Sequence, residues 1–375
     1  MSHTIRVETI EHAVDNGLRP EDYATLAVLE ESQAFEGVPP IPCDILPRQF
    51  GYWFHTGPGF AEGLTTYGHK ILSAEKAYVL GTDGVVVYNG KSGRWVDTTS
   101  LNYARPDRPG CQFIRATDHL LIPPPQRALS GVYFLGYNAG HSNYAHWVTD
   151  ALPLLQYYLE HFAPLGVKVL LPAQRTTFVE FYVQLLKIPA HLIEYIDDEI
   201  VEVETLYYPS FFSFDRIPFS AVNMLKAIKR DYLPARVAKA RRIFVSRRET
   251  PLRALLNEPR IIEVLTDAGF DIIVPGEMPV YEQIEMFRSA EIVVAVHGAG
   301  LANIVFCDPG TRIIELFPEY TVSSLFWILA THFDLKYGAL FGTSFDQDGA
   351  LSDQNGSWNA PFIINEDKLR TCLIG

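Results

Sequence analysis

Two clusters of residues in this 375-residue chain have the types and spacing to do chemistry. The first is Asn143, His146 and Asp150, within the run Gly140-His-Ser-Asn-Tyr-Ala-His-Trp-Val-Thr-Asp150. At i, i+3 and i+7 they fall on one face of a helix, and Asn143 suits its N-cap. A carboxylate and an imidazole one turn apart can share a proton-transfer task, one taking the proton of an incoming hydroxyl while the other orients it. Asp150 is the first choice as base and His146 as orienter, with the reverse left open. Zinc held by His146 and Asp150, with His141 as third ligand, is the alternative. The spacing matches no strong metal signature and no cysteine joins it, so no metal is expected.

The second cluster is the run Glu291-Ile-Val-Val-Ala-Val-His297-Gly298-Ala299-Gly300-Leu-Ala-Asn303-Ile-Val-Phe306. A buried strand enters a turn of small residues at which a helix starts. Small residues let a phosphate approach the backbone, and the free N–H groups of a helix start attract its charge. Gly298 and Gly300 can also adopt positive φ. The alternative is a tight strand-to-helix turn in an ordinary α/β domain. Arg241, Arg242, Arg247, Arg248 and Arg253 cluster in an otherwise acidic chain. Open α/β sheets bind ligands beyond the carboxyl ends of their strands, where Ser246-Arg247 falls, and an arginine fork suits a pyrophosphate. Arg247 is assigned to that group first and Arg253 second, while Arg241 and Arg242 read as a solvated basic face. Glu315 ends the strand after the phosphate turn, where it can take both ribose hydroxyls or form a salt bridge. The Pro275-Gly276-Glu277-Met278 loop follows another strand end and is placed to cup a base.

The elements that position these residues fall into two series. Up to residue 130 the chain is rich in Gly, Pro and aromatics, with short alternating runs at Ala77-Tyr-Val-Leu and Gly84-Val-Val-Val-Tyr. Turn signals stand at Asp83-Gly84 and Asn89-Gly90, and Pro123-Pro124-Pro125 marks a boundary, so 1–130 is a β-rich N-terminal segment. From Gly131, strands at 131–137, 167–171, 191–196 and 201–208 alternate with helices at 143–162, 176–188 and 220–236. Pro153 predicts a bend in the first of these helices. A second series has strands at 242–246, 270–274, 291–296 and 311–317, with helices at 259–268, 279–290, from Ala299, and 321–333. Such alternation predicts an α/β fold with one parallel, doubly wound sheet per half. The domains are then 131–238 and 239–345, followed by a tail at 346–375.

Bulk composition supports two cores and narrows the partners. The chain is 48% hydrophobic and 13% aromatic, and 31 basic against 44 acidic residues give a net charge of −13. That sign repels nucleic acid and anionic lipid, so no nucleic-acid partner is expected and a phosphate needs a locally basic pocket. Cys43, Cys111, Cys307 and Cys372 are scattered and read as reduced thiols of a cytoplasmic protein. The N-terminus lacks the pattern of a signal peptide, and no apolar run approaches the roughly 20 residues that span a bilayer. Peripheral docking on a membrane and homodimerisation stay open.

At these motifs the chain resembles glycosyltransferase family 61. The resemblance rests on Asn143-x-x-His146-Trp147-x-x-Asp150-x-Leu152-Pro153-x-Leu155, on Ser246-Arg247 with Asn257-Glu258, and on Glu282-Gln283-Ile284. It rests equally on Val296 through Asn303, followed by Pro309-Gly310-Thr311 and Ile314-Glu315-Leu316. It implies a GT-B architecture, in which two Rossmann-like domains face a cleft with the donor in the C-terminal one. It further implies a UDP-sugar donor, a glycan acceptor, and anomeric inversion without a bound metal or other cofactor. Asp150 matches the family's acidic position on the first helix, Arg247 its donor-side arginine, His297 to Gly300 its phosphate turn, and Glu315 the acid after it. The chain lacks the signal-anchor segment of eukaryotic members, which points to a bacterial cytoplasmic protein of surface-polysaccharide synthesis.

Three rivals are weighed. A hydrolase is disfavoured because no Gly-x-Ser-x-Gly elbow exists. A polysaccharide-modifying transferase of similar fold, such as a pyruvyltransferase, is the closer enzymatic one. A nucleotide-sugar-binding protein without turnover would tolerate Asp150→Ala.

Overall fold

A computed structural model of the chain describes residues 3–9, 24–30, 34–35, 64–65, 69–81, 84–89, 95–97, 119–122, 124–138, 140–209, 217–234, 241–319, 323–345 and 359–374. Asp83, Gly90, Pro123, Cys43 and Cys111, with the turns and boundary expected there, lie outside the described residues. Cys307 and Cys372 are buried free thiols. The chain divides into two compact units. One comprises Met1–Gln33, Tyr67–Phe214 and Pro218–Ile228, and the other Ala34–Thr66, Asp215–Ile217 and Lys229–Gly375.

The first unit is built on one mixed sheet. Its early strands are β1 (His3–Thr9) and β2 (Ala24–Glu30), whereas the short β3 (Ala34–Phe35) and β4 (Leu64–Thr65) pair with each other in the second unit. Then come β5 (His69–Leu80), β6 (Val85–Asn89), β7 (Trp95–Asp97), β8 (His119–Ile122), β9 (Arg127–Leu135), β10 (Lys168–Pro172), β11 (Ile193–Ile196) and β12 (Ile200–Pro209). They lie in the order β11-β10-β9-β12-β5-β6-β7-β1-β8, with β2 also on β5. The stretch β11-β10-β9-β12 is parallel. Numbered by appearance its order is 3-2-1-4, that of the first four strands of a dinucleotide-binding sheet. Val169, Leu170 and Leu171 are fully buried, the continuous apolar run expected of a strand covered on both faces. Next to β12, β5 runs antiparallel, from Ile200 opposite Leu80 to Pro209 opposite Ile71, so strands of the β-rich segment prolong the same sheet.

Helix α1 follows β9. It begins as Tyr144–His146, widens into a π turn at Trp147–Ala151 and continues as Leu152–His161. Helix α2 is Thr177–Leu185 and α3 is Phe219–Tyr232. Gly136, just past β9, lets α1 lie close: a Cβ there would meet Val169 at 2.7 Å and Leu155 at 2.9 Å.

The second unit has strands β13 (Arg241–Val245), β14 (Phe270–Ile273), β15 (Ala290–Val296), β16 (Arg312–Pro318), β17 (Lys336–Ser344) and β18 (Phe362–Ile363). Its helices are α4 (Glu258–Asp267), α5 (Val280–Arg288), a 3-10 helix (Ala299–Phe306), α6 (Leu325–His332) and α7 (Glu366–Ile374). The sheet order is β14-β13-β15-β16-β17-β18, parallel except for the last pair. Its parallel part is therefore the doubly wound order 2-1-3-4-5, in which connections leave β13 and β15 in opposite directions. A crevice opens at their carboxyl ends. One core lies under α4 and α7, where Phe244, Val294, Ile314 and Leu340 meet Ile261, Leu265 and Leu369. Each such side chain contributes about 1.5–3 kcal/mol by leaving water. Residues 359–374, which the sequence leaves in the tail, thus supply part of this core.

Candidate functional site

In the first unit, the carboxyl end of β9 delivers the chain to α1. The side chain of Asn143 caps the helix, accepting a bond from the Ala145 N–H at 2.9 Å. It is thereby occupied in starting the helix. Pro153 has no N–H to give, and its ring would press on the carbonyl one turn back. The helix answers with the π turn, in which the Leu152 N–H reaches the Trp147 carbonyl. The bend expected from Pro153 is thus a local widening, and Asp150 sits inside it.

Asp150 is 3% exposed and surrounded by donors. His146 Nδ1 lies 3.0 Å from Oδ2, Asn138 Nδ2 donates to the same oxygen at 3.1 Å, and the Thr149 hydroxyl donates to Oδ1 at 2.6 Å. A carboxylate only accepts, so His146 carries its proton on Nδ1 and presents Nε2 as the basic nitrogen. The His146 side chain is 15% exposed against 5% for Asp150. Of the two arrangements open in the sequence, this geometry favours His146 as base and Asp150 as orienter. Gly140 backs the ring, since a Cβ there would stand 2.7 Å from His146 Cγ. His141, considered as a metal ligand, is buried with Nδ1 3.1 Å from the Asn138 carbonyl. Among the described residues no group of three potential ligands assembles.

In the second unit, β13 ends at Ser246-Arg247 and β15 at His297-Gly298, on the two lips of the crevice. Arg247 Nη1 donates to the His297 carbonyl, and Arg253 Nε donates to the same oxygen at 3.2 Å. Burial lowers the pKa of Arg247, which Glu249 partly offsets. Burial, then the neighbouring Arg247, lowers that of Arg253 to about 10, with Glu315 opposing. Among the described residues neither guanidinium forms an ion pair. By contrast Arg241 pairs with Asp271 at 2.7 Å and Arg242 with Glu291 at 2.8 Å on the surface, as expected of a solvated face. Arg248 likewise pairs with Glu277 at 3.1 Å.

Gly298 is required by this arrangement. Its φ of 171° is ordinary extended backbone, but a Cβ would lie 2.1 Å from Arg247 Nη1 and 2.6 Å from its Cζ. Ala299 opens the 3-10 helix, and Gly300 packs on Pro275, which a Cβ would approach to 3.0 Å. Arg253 adopts a left-handed backbone (φ 57°), uncommon for a side chain of this size. Asn359 holds it there, by a backbone bond of 3.0 Å and a side-chain bond of 2.7 Å.

Two residues expected to contact the ligand are engaged within the fold. Glu315 is fully buried, with Oε1 2.5 Å from His297 Nδ1 and Oε2 accepting from the Tyr337 hydroxyl at 2.5 Å. This is the salt-bridge alternative left open in the sequence, and it fixes the His297 imidazole, which also stacks on Phe317 at 5.0 Å. Asn303 is likewise fully buried, donating to Gln283 at 3.2 Å and to the Gly300 carbonyl at 3.1 Å. Gln283 in turn donates to the carbonyls of Pro275 and Met278, at 2.7 and 3.0 Å. Asn303 and Gln283 therefore brace the 275–278 loop against the turn. Asn138, Thr149 and Tyr337 were absent from the sequence-level selection. Asn138 and Thr149 flank α1's motif, a weak signal. Tyr337 enters through strand pairing alone, as it faces Ile313, two residues before Glu315, across β16 and β17.

A doubly wound crevice with two arginines that form no ion pair among the described residues, and a buried imidazole–carboxylate pair on another strand-to-helix junction, mark an α/β protein. The comparisons narrow this class. Residues 144–314 match the family model Glycosyltransferase 61. An alpha-1,3-arabinosyltransferase of Oryza sativa subsp. japonica, XAT3, is 32% identical over 126 residues, covering 31% of this chain and 21% of the rice protein. The chain thus spans about a fifth of that curated relative. Among the described residues no helix is long and apolar enough to cross a membrane.

Proposed function

We propose that this protein is an inverting, metal-independent glycosyltransferase of GT-B type that moves a sugar from a UDP-sugar to a hydroxyl of a glycan. The observation that carries the reading is the convergence of Arg247 and Arg253, half-buried and outside any ion pair among the described residues, on the His297 carbonyl at the switch-point crevice. Two such cations in a chain of net charge −13 call for an anion, and a diphosphate leaving group is one whose charge grows during reaction. His146 Nε2 takes the proton of the acceptor hydroxyl, whose oxygen forms the new bond to the anomeric carbon. The bond from that carbon to the phosphate oxygen breaks, and its electron pair leaves with UDP. Asp150 keeps the imidazole in the tautomer that can accept, and steadies the imidazolium that forms. Arg247, Arg253 and the N–H groups at Gly298 to Gly300 receive the departing charge, the fixed-donor role a metal would otherwise fill. Cytoplasmic location is part of the same proposal, since the donor is a cytoplasmic metabolite class.

Calorimetric titration with UDP and a panel of UDP-sugars, in the presence of a chelator, tests this. UDP-arabinose belongs in the panel because the rice relative is named an arabinosyltransferase. Binding without metal, followed by slow donor hydrolysis or transfer, is the expected result. Failure of every UDP compound to bind would sink the donor assignment.

A further inference from the structure

Among the donors around Asp150, the one on its own chain neighbour has more acceptors than hydrogens. The Thr149 hydroxyl lies 2.9 Å from the Ala145 carbonyl and 2.6 Å from Asp150 Oδ1. A hydroxyl has one hydrogen to give. The bond to the carbonyl one turn back is an ordinary habit of helical Thr and Ser. Thr371 makes it to the Asp367 carbonyl at 2.9 Å, and Ser289 to that of Glu285 at 2.8 Å. The bond to Asp150 is not ordinary, because adjacent side chains on a regular helix do not face each other. Here both residues lie in the π turn, which widens the backbone between Trp147 and Ala151. Thr149 and Asp150 are both buried, so bulk water does not replace either bond. A carbonyl in the body of a helix has a backbone N–H to accept. A buried carboxylate oxygen that loses its donor carries the full cost of desolvation. The hydrogen therefore belongs to Asp150.

Resting on the proton-transfer reading above, we infer that Thr149 is a positioning residue for the base: it holds Asp150 as a carboxylate and so keeps the proton of the pair on His146 Nδ1. The Thr149 hydrogen occupies Oδ1, while Asn138 Nδ2 and His146 Nδ1 converge on Oδ2. Each carboxylate oxygen then meets a donor, and donors to the charged form favour that form. With the hydroxyl removed, Oδ1 is left buried and unserved, and neutralising the carboxyl relieves it. The Nδ1 proton then passes to Oδ2, and Nε2 takes a proton from solvent. The imidazole stays neutral, but its N–H now points where its lone pair stood. That tautomer has no lone pair at Nε2 and cannot take the proton of a hydroxyl. Thr149 touches no reacting atom, yet it decides which nitrogen is basic.

Side-chain NMR of the free protein tests this without a substrate, so its failure is distinct from that of the transferase reading. In wild type the Asp150 carboxyl carbon should resonate as a carboxylate, and the His146 ring nitrogens should report the Nδ1–H tautomer. Thr149→Val, close in size but without the hydroxyl, should move both signals, toward a protonated carboxyl and the Nε2–H tautomer. Its kcat should fall about ten- to a hundredfold, the range for a hydrogen bond to a charged group, with the donor KM within about a factor of two. Thr149→Ser keeps the hydroxyl and should restore both the spectra and the rate. Thr371→Val removes the same kind of back-bond from a helix of the second unit and should alter neither. Should Thr149→Val fail to fold, Thr149→Cys, a weak donor of similar size, gives the same comparison. A protonated Asp150 carboxyl in wild type overturns the assignment. So does a Thr149→Val protein that loses rate with the His146 tautomer unchanged, for the residue is then structural only. Unchanged rate and spectra, or a Thr149→Ser protein no better than Thr149→Val, overturn it as well. A wild type with the expected spectra that transfers no sugar removes the transferase reading and leaves the proton placement standing.

Discussion

The two strand-to-helix junctions solve opposite electrostatic problems. In the first unit, Asp150 is buried but fully served, by His146, Asn138 and Thr149. In the second, Arg247 and Arg253 are half-buried, crowd one carbonyl, and lack a carboxylate partner among the described residues. One junction is complete without a ligand and sets the state of a single proton. The other keeps an unfavourable charge arrangement that an anion would relieve. Burying charge that Glu249 and Glu315 only partly offset is costly, so such a site persists only where the surrounding fold holds it in place. A finished dyad and an unfinished cation pair should therefore respond differently to substitution.

The largest expected contrast comes from the dyad. His146→Ala should lower transfer roughly 10²–10⁴-fold, the usual share of a general base, while leaving UDP affinity within a factor of two or so. A pre-steady-state assay beside a binding titration separates the two, and a parallel loss of UDP affinity would erase the distinction. Next is the cation pair. Arg247→Ala with Arg253→Ala should weaken UDP binding about a hundredfold or more, since each charge-assisted bond is worth about 1.5–3 kcal/mol. Thermal stability should hold or rise, because the two like charges burden the empty fold. A pronounced drop in Tm would mean that they support the structure instead.

A third variant, Gly298→Ala, inserts a methyl where the Arg247 guanidinium lies. The arginine is flexible, so the fold should survive, and UDP affinity should fall roughly tenfold as the fork is displaced. Comparing affinities with melting curves shows whether the methyl disturbs the ligand site or the core. The smallest effect belongs to Tyr337→Phe, which removes one donor from Glu315. A loss of about 1 kcal/mol in stability is expected, with the His297 imidazole signals shifted in NMR spectra.

Protonation offers a last way to sharpen the contrast. Arg253 has its pKa lowered to about 10, by burial and then by Arg247. Anion affinity that needs this charge is present below that pH and lost as the pH rises through it. In Arg247→Ala the residual affinity should persist to higher pH, because the repelling neighbour is gone. Titrations between pH 8 and 11 would reveal the shift, and identical profiles would exclude the coupling.

Much of this was readable in the sequence because it depends on local pattern. The apolar runs at 168–172 and 290–296 could only be covered strands, and the helices starting near 144, 177, 258 and 280 followed their periodicity. The spacing of His146 and Asp150 gave their contact directly. What the sequence missed depends on pairing between distant segments. Glu315 looks like a strand-end acid until β17 brings Tyr337 beside it. Asn303 looks like part of a phosphate turn until Gln283, 20 positions earlier, claims it. The choice between Asp150 and His146 as base depended on which is deeper, and burial is not a property of spacing. The π turn was also hidden, since Pro153 announces a disturbance without saying how the backbone absorbs it.

The hold that Asn359 has on Arg253 extends along the chain. Phe362 N–H bonds the Ala254 carbonyl at 2.9 Å, Leu256 N–H bonds the Phe362 carbonyl at 2.8 Å, and Asn257 clasps the backbone of Ile364 through both ends of its amide. The wall of this crevice is thus laced to a stretch made some 106 positions later. During synthesis, β13 and β15 can pair well before that stretch leaves the ribosome. The proposed nucleotide capture must wait for it, so a partly translated chain has the sheet but not the hold on Arg253.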